Sequence, residues 1–144
     1  MAIKNTLISY RQSHLRGNLI AHRDIPGDKS ISHRALYLSA FADGLTHIKG
    51  INTGEDVGHT QLALESFGVK IENQEDGTKI VHGLAGKPLI QPKNPLYLGN
   101  SGTTARLLGG VITPFPISVT LYGDASLSQR PMRRMILPLR EIGA

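Results

Sequence analysis

Two short glycine-containing segments carry the residues of this chain that are best suited to bind an anion. They are PGDKSISHR, from Pro26 to Arg34, and LGNSGTTAR, from Leu98 to Arg106. In each segment small residues precede the predicted start of a helix, and an arginine follows a Ser or Gly by four positions. Backbone N–H groups at a helix start carry a partial positive charge and bind phosphate or carboxylate. The two segments together predict a ligand, or a pair of ligands, rich in phosphate and carboxylate.

The first segment supplies two cations, Lys29 and Arg34, around the predicted helix start. Ser30 and Arg34 are four residues apart, so that both side chains lie on one helix face. Asp28 or Ser30 can simply be an N-cap. A cap does not account for the two flanking cations, for which we favour a ligand-binding role. A nucleotide-binding P-loop is not indicated, because Arg23 stands where that motif needs a glycine.

The second segment centres on Gly102, which lets a ligand approach the backbone without a Cβ in the way. Ser101 or Thr103 can cap the following helix, a role that is compatible with ligand binding. Arg130 places another guanidinium before Pro131, a residue type favoured at the first helical position. Taken alone, Arg130 would be interpreted as a solvated surface residue. Together these residues predict a second anion site.

The composition excludes several classes of site. The chain of 144 residues suffices for one ordinary domain, and it contains no cysteine, so that disulfides and Cys-based metal sites are excluded. The histidines lack a metal-ligand spacing such as H-x-x-x-H, and we interpret them as surface or packing residues. No metal site is therefore expected.

Charge and hydropathy narrow the choice of partner. The net charge is +5, but the chain has only three Phe and four Tyr and no long basic run, which makes nucleic acid a less favoured partner. No apolar run approaches the length of a membrane span. The N-terminus lacks the apolar region of a signal peptide, so that a cytoplasmic location is the default expectation.

Hydrophobic periodicity predicts an α/β chain. Helices are predicted from Ser30 to Asp43, over 53–67, over 103–111 and after Pro131; strands over 3–10, 18–23, 45–51, 96–98 and 117–122; and a hairpin over 69–83. In the first helix, Ile31 and Leu38 belong to the predicted packed face. His33 and Tyr37 belong to the opposite, polar face. Pro138 predicts a kink or an early end of the last helix.

The predicted elements repeat along the chain. A helix, a strand and a second helix follow each glycine-containing segment, and a hairpin closes the first copy but not the second. Internal repeats of this length indicate a duplicated structural unit. A unit without its closing strands would leave an open sheet edge. We therefore expect the chain to be a truncated piece of a longer protein.

Both segments match signatures of a known family. PGDKSISHRA, from Pro26, and LGNSGTTARL, from Leu98, resemble the first two signatures of the 5-enolpyruvylshikimate-3-phosphate synthases (3-phosphoshikimate 1-carboxyvinyltransferases). The stretch from Gly123 to Met132 resembles a third. The resemblance extends over the whole chain in the correct order. The related UDP-N-acetylglucosamine enolpyruvyl transferases typically have Asn where this chain has Ser30.

The resemblance implies an α/β fold of repeated βαβαββ units, the enolpyruvyl transferase fold, here truncated within the second unit. Residues 1–25 would be strands that pack into the other, C-terminal domain of the full enzyme. Residues 26–144 would be an incomplete N-terminal domain, with unit one at about 26–85 and unit two at about 96–144.

The resemblance also implies a reaction and a set of site residues. Members transfer the enolpyruvyl group of phosphoenolpyruvate to the 5-hydroxyl of shikimate 3-phosphate, release phosphate, and need no cofactor. Lys29 resembles the catalytic lysine that contacts both substrates. By resemblance, Ser30 and Arg34 hold shikimate 3-phosphate, Gly102 and Arg130 hold phosphoenolpyruvate, and Asn100, Thr103 and Arg106 support the second loop.

The family's inhibitor glyphosate competes with phosphoenolpyruvate near Gly102, and a residue without a side chain there predicts sensitivity. The parent enzyme is expected to be a monomer that binds neither nucleic acid nor membranes. Further groups of the family's site lie outside the part matched here, so that this chain alone is expected to be inactive. Two alternatives are a non-catalytic anion-binding module of the same fold and a nucleic-acid binder that uses the basic charge.

Overall fold

The computed structural model describes residues 25–144. The elements follow in the order α1 (Lys29–Phe41), β1 (Leu45–Ile48), α2 (Glu55–Ser66), β2 (Lys70–Asn73), β3 (Lys79–His82), β4 (Leu96–Tyr97), α3 (Gly102–Ile112), β5 (Leu121–Tyr122), α4 (Ala125–Ser128) and α5 (Arg133–Glu141). The strands predicted over 3–10 and 18–23 lie outside the described residues. Across the described part, no helix is both long and apolar enough to span a membrane.

Helix α1 begins at a predicted N-cap and ends at Phe41, two residues before the predicted end at Asp43, and it packs through a different face. Asp28 is the N-cap and accepts a hydrogen bond from the Ile31 amide at 2.7 Å. The predicted packed face is wrong, because Ile31 and Leu38 are 60% and 74% exposed. His33 and Tyr37, predicted on the polar face, are buried instead. Both find hydrogen-bond partners on neighbouring helices, which makes their burial tolerable.

The first sheet has the order β1-β3-β2 and is antiparallel throughout. The predicted hairpin is confirmed, since β2 and β3 pair with Ile71 opposite Val81. Gly77 lies in its turn with φ of 78°, a conformation that glycine adopts without strain. Helix α2 ends one residue before Phe67, and Gly68 follows with φ of 92°. These ends agree with the sequence prediction.

The core lies where α1, α2 and α3 meet. Fully buried side chains come from each of these helices and from the segment before α3: Leu36, Leu64, Phe67, Leu98 and Leu108. Burying a side chain of this size contributes about 1.5–3 kcal/mol. The helix starts that carry both glycine-containing segments are therefore fixed to one core.

The second sheet is a short parallel pair in which Leu96 lies opposite Leu121 and Tyr97 opposite Tyr122. Helix α3 forms the crossover between these strands, as expected of a βαβ unit. Only two residues of the strand predicted over 117–122 form the ladder. The element order after residue 95 is thus strand, helix, strand, followed by two helices.

The last two helices differ from the prediction. Helix α4 was not predicted, and α5 begins at Arg133, so that Pro131 is not its first residue. Helix α5 continues through Pro138 to Glu141, so the predicted early end is wrong. The helix lies against α3, where a Cβ on Gly109 would be 2.7 Å from the Met135 sulfur. None of its residues is buried in the described structure.

Candidate anion-binding site

The first segment places Lys29 at the start of α1, opposite the start of α2. Its Nζ donates to Asp56 Oδ2 at 2.9 Å. Asp56 is an acidic residue in the first turn of α2, and its ion pair with Lys29 was not predicted from the sequence. The Lys29 side chain remains 52% exposed. Exposed ion pairs contribute about 0–1 kcal/mol, so the lysine can exchange this carboxylate for a ligand at low cost.

The loop before α1 is held by the segment that follows β1. The Ser32 hydroxyl accepts from the Asn52 amide at 2.9 Å and donates to the Asp28 carbonyl at 2.8 Å. The Asn52 side chain donates to the Gly27 carbonyl at 2.8 Å. A Cβ on Gly27 would overlap the carbonyl oxygen of Gly50, so only glycine fits there. Ser30 and Arg34, the other predicted residues of this loop and helix, are exposed.

The second segment brings two arginines against Gly102. A Cβ on Gly102 would lie 2.7 Å from Arg130 Nη1 and 3.0 Å from Arg106 Nη1. Both guanidinium groups therefore lie directly at the start of α3, the positive end of its helix dipole. Three residues that the sequence predicted, separated by up to 28 positions, meet here. Asn100 is exposed and Thr103 is half-buried in the same loop.

Helix α4 positions Arg130. Its N-cap Asp124 accepts from the Leu127 amide at 2.7 Å, and the Asp124 amide donates to the Gly99 carbonyl at 2.9 Å. Leu127 is buried, and its carbonyl accepts from the Arg130 amide at 3.0 Å. The third stretch is thus tied directly to the second glycine-containing segment. A four-residue helix has too little periodicity to be found from sequence.

Buried polar side chains connect the two segments. His33 Nδ1 lies 2.7 Å from Thr60 Oγ1, which lies 2.8 Å from Thr104 Oγ1 in the second segment. Burial lowers the pKa of His33, partly opposed by the negative charge of Asp56. Burial also raises the pKa of Tyr37 to about 12, and its hydroxyl lies 3.5 Å from the Thr104 carbonyl. Both groups are therefore neutral at physiological pH.

The arrangement has the chemistry of an anion-binding surface. Lys29 lies at the start of α1 and Arg34 in its second turn, and Arg106 and Arg130 lie around the start of α3, all with exposed side chains. Arginine pairs with phosphate and carboxylate through two parallel hydrogen bonds. Among residues 25–144, no three His, Cys, Asp or Glu side chains form a group that would hold a metal ion.

Comparisons with known proteins show the family of the chain. The family model described as EPSP synthase (3-phosphoshikimate 1-carboxyvinyltransferase) matches residues 11–144. The 3-phosphoshikimate 1-carboxyvinyltransferase of Parvibaculum lavamentivorans is 50% identical over 128 residues, which are 89% of this chain and 28% of the relative. That of Zymomonas mobilis is 48% identical over 138 residues, which are 96% of this chain and 30% of the relative.

A solved structure confirms the fold class. The EPSP synthase from Acinetobacter baumannii is 45% identical, with a TM-score of 0.79 over 83% of this chain and 27% of that chain. The α/β architecture described above is therefore the fold of part of that enzyme. The chain spans less than a third of the length of these relatives.

Proposed function

Because the chain belongs to the EPSP synthase (3-phosphoshikimate 1-carboxyvinyltransferase) family, we propose that it is part of an enzyme that transfers the enolpyruvyl group of phosphoenolpyruvate to the 5-hydroxyl of shikimate 3-phosphate. One observation carries the proposal most directly. Two guanidinium groups converge on Gly102 at the start of α3, where Arg130 Nη1 and Arg106 Nη1 would lie 2.7 Å and 3.0 Å from an added Cβ. Such a site suits a small ligand that carries both phosphate and carboxylate.

The cations divide between the two substrates. Ser30 and Arg34, on the exposed side of α1, hold shikimate 3-phosphate, and Gly102 and Arg130 hold phosphoenolpyruvate. Asn100, Thr103 and Arg106 support the second loop. Lys29 contacts both substrates and acts as the catalytic residue of this chain, after leaving Asp56.

The charges explain why several cations are needed. Two negative charges about 4 Å apart repel by about 4 kcal/mol near a protein surface.

In the proposed reaction the 5-hydroxyl group loses its proton as its oxygen bonds to C2 of phosphoenolpyruvate, and the methylene carbon of phosphoenolpyruvate gains a proton to become a methyl group. Loss of phosphate and of a methyl proton from the tetrahedral intermediate then restores the double bond. Fixed cations and helix starts stabilise this charged intermediate because they need not reorganise. The proposal involves no metal or organic cofactor.

The chain alone is proposed to be inactive, since it corresponds to less than a third of its relatives. The test is a fusion of residues 1–144 to the remaining part of the Acinetobacter baumannii enzyme, assayed for phosphate release from phosphoenolpyruvate in the presence of shikimate 3-phosphate. We expect turnover by the fusion and none by either part alone. Lys29→Met should abolish it, whereas Lys87→Met, at an exposed lysine of the β3–β4 connector, should not.

The alternative function, a non-catalytic anion-binding module, has a different outcome. Such a module would bind phosphate in calorimetry with the chain alone, and the fusion would release no phosphate. We also propose glyphosate as a competitor of phosphoenolpyruvate at Gly102. A cytoplasmic location and a monomeric parent enzyme remain predictions from the sequence.

A further inference from the structure

Four buried polar side chains form a continuous hydrogen-bonded chain through the core. His33 Nδ1 lies 2.7 Å from Thr60 Oγ1, Thr60 Oγ1 lies 2.8 Å from Thr104 Oγ1, and Thr104 Oγ1 lies 2.7 Å from Ser101 Oγ. All four residues are 0% exposed. They come from three helices: His33 from α1, Thr60 from α2, and Thr104 from α3 with its N-cap Ser101.

The ends of this chain are the two anion-binding segments. His33 lies one turn after Lys29, and Ser101 immediately precedes Gly102. Asp56 adds a second connection, because its carbonyl lies 3.2 Å from Thr104 Oγ1 while its carboxylate binds Lys29 at 2.9 Å. The four fully buried side chains thus join α1 to the start of α3, and Asp56 joins Lys29 to the same network.

The available protons assign a direction to these bonds. Among residues 25–144, His33 Nε2 has no hydrogen-bond partner. A buried N–H without an acceptor is rarer than an unpaired acceptor, which places the ring proton on Nδ1. His33 then donates to Thr60, Thr60 to Thr104, and Thr104 to the Asp56 carbonyl.

Ser101 completes the assignment. Its hydroxyl donates to the second lone pair of Thr104 Oγ1 and accepts from the Thr104 amide at 3.2 Å. With this assignment every hydroxyl proton of the chain has an acceptor, and among its described side-chain atoms His33 Nε2 is the one left without a partner. A network of buried hydroxyl groups fixes geometry because any displacement leaves another polar group unpaired.

We propose that Thr60 and Thr104 are positioning residues that fix the start of α1 relative to the start of α3. Neither side chain reaches a ligand, since both are fully buried. Their role is to keep Lys29 and Gly102 at the separation that two bound substrates require, because binding groups must be held to within about 0.5 Å. That this separation serves two bound substrates rests on the proposed function. That Thr60 and Thr104 fix the separation does not depend on it.

The test measures the separation of the two loops directly. The chain contains no cysteine, so that cysteines introduced at Ser30 and Asn100, both exposed, can carry two nitroxide labels. Electron paramagnetic resonance then reports the distribution of distances between them. Thr60→Val and Thr104→Val replace the hydroxyl by a methyl group at nearly the same volume. Thr113→Val is the matched control, because that hydroxyl donates within α3 to the Gly109 carbonyl at 2.8 Å.

We expect the distance distribution to broaden in Thr60→Val and in Thr104→Val, and to stay unchanged in Thr113→Val. The double variant should be no broader than either single variant, because each already interrupts the same network. Thr104→Ser, which keeps a hydroxyl, should restore the narrow distribution.

An unchanged width in folded Thr60→Val and Thr104→Val would overturn the proposal, since packing alone would then position the loops. Broadening that adds up in the double variant would overturn it as well. Circular dichroism verifies that each variant is folded. If Thr60→Val does not fold, the comparison of the distance distributions of Thr104→Val and Thr104→Ser tests the proposal. The measurement needs neither ligand nor turnover, so its failure is distinguishable from an inactive fusion.

Discussion

Replacing Gly102 by Ala tests the second anion site without disturbing the fold. The added Cβ would lie 2.7 Å from Arg130 Nη1 and 3.0 Å from Arg106 Nη1, whereas ordinary contacts begin at 3.4 Å. Both guanidinium tips must therefore withdraw by several tenths of an ångström. Because they are the ends of flexible side chains, they can do so without moving the backbone.

The displacement acts on ligand binding and hardly on stability. A hydrogen bond to a charged group contributes about 1.5–3 kcal/mol. Losing one such bond to the bound anion corresponds to a roughly tenfold to hundredfold loss of affinity. The free energy of unfolding should change little, because the added Cβ meets the ends of two flexible side chains and no backbone atom. Glyphosate, proposed to share this site, should lose affinity together with phosphoenolpyruvate.

The assay is steady-state kinetics of the fusion with varied phosphoenolpyruvate, with and without glyphosate, alongside urea unfolding. Gly110→Ala is the matched control, since it lies in the same helix and its added Cβ would have nothing within 4 Å. A KM for phosphoenolpyruvate that stays unchanged in Gly102→Ala would refute the reasoning. So would an equal change in both variants, because then the helix and not the two guanidinium tips would be responsible.

Three further predictions concern Lys29, His33 and the core. Lys29→Met should lower the free energy of unfolding by at most about 1 kcal/mol, because its ion pair is exposed, yet abolish phosphate release by the fusion. Burial lowers the pKa of His33 below its ordinary 6.5, so that only the unfolded chain binds a proton just below that pH. The free energy of unfolding should therefore fall as the pH drops below 6.5, and less so in His33→Gln, as measured by urea unfolding. Leu64→Ala should cost about 2–5 kcal/mol, and Leu62→Ala, at a 58% exposed position of the same helix, less than about 0.5 kcal/mol in the same measurement.

Each of these expectations has a contradicting result. Phosphate release by the Lys29→Met fusion would show that Lys29 is not the catalytic residue. An equally steep loss of stability below pH 6.5 in His33→Gln would assign that dependence to other groups. Equal losses for Leu64→Ala and Leu62→Ala would contradict the position of the core between α1, α2 and α3.

Helix caps, helix ends and turns were the features predicted best from the sequence, because residues close together in the chain determine them. Asp28 and Ser101 were among the proposed caps, and both accept the expected backbone N–H. The end of α2 agrees with the prediction because Gly68 follows it with a positive φ, and so does the hairpin predicted over 69–83, whose turn contains Gly77 with a positive φ; a positive φ is a local requirement. Such signals need only a few residues of context.

Features decided by distant residues were missed. His33 and Tyr37 are buried because Thr60 and Thr104 offer partners, which periodicity within one helix does not reveal. The proximity of Arg106 and Arg130 to Gly102 was expected only from the family resemblance. Sequence spacing alone does not predict that residue 130 lies beside residue 102. The strand predicted over 117–122 was too long because its only described partner, β4, offers two residues for pairing.

Helix α5 has a consequence for the order in which this molecule opens. With none of its residues buried in the described structure, its amides should exchange with solvent through local opening, long before those of α2, which contributes Leu64 to the core. Arg130 precedes α5 and is held instead through Leu127 and the cap of α4. Transient detachment of the last helix should therefore leave the guanidinium at the second anion site in place.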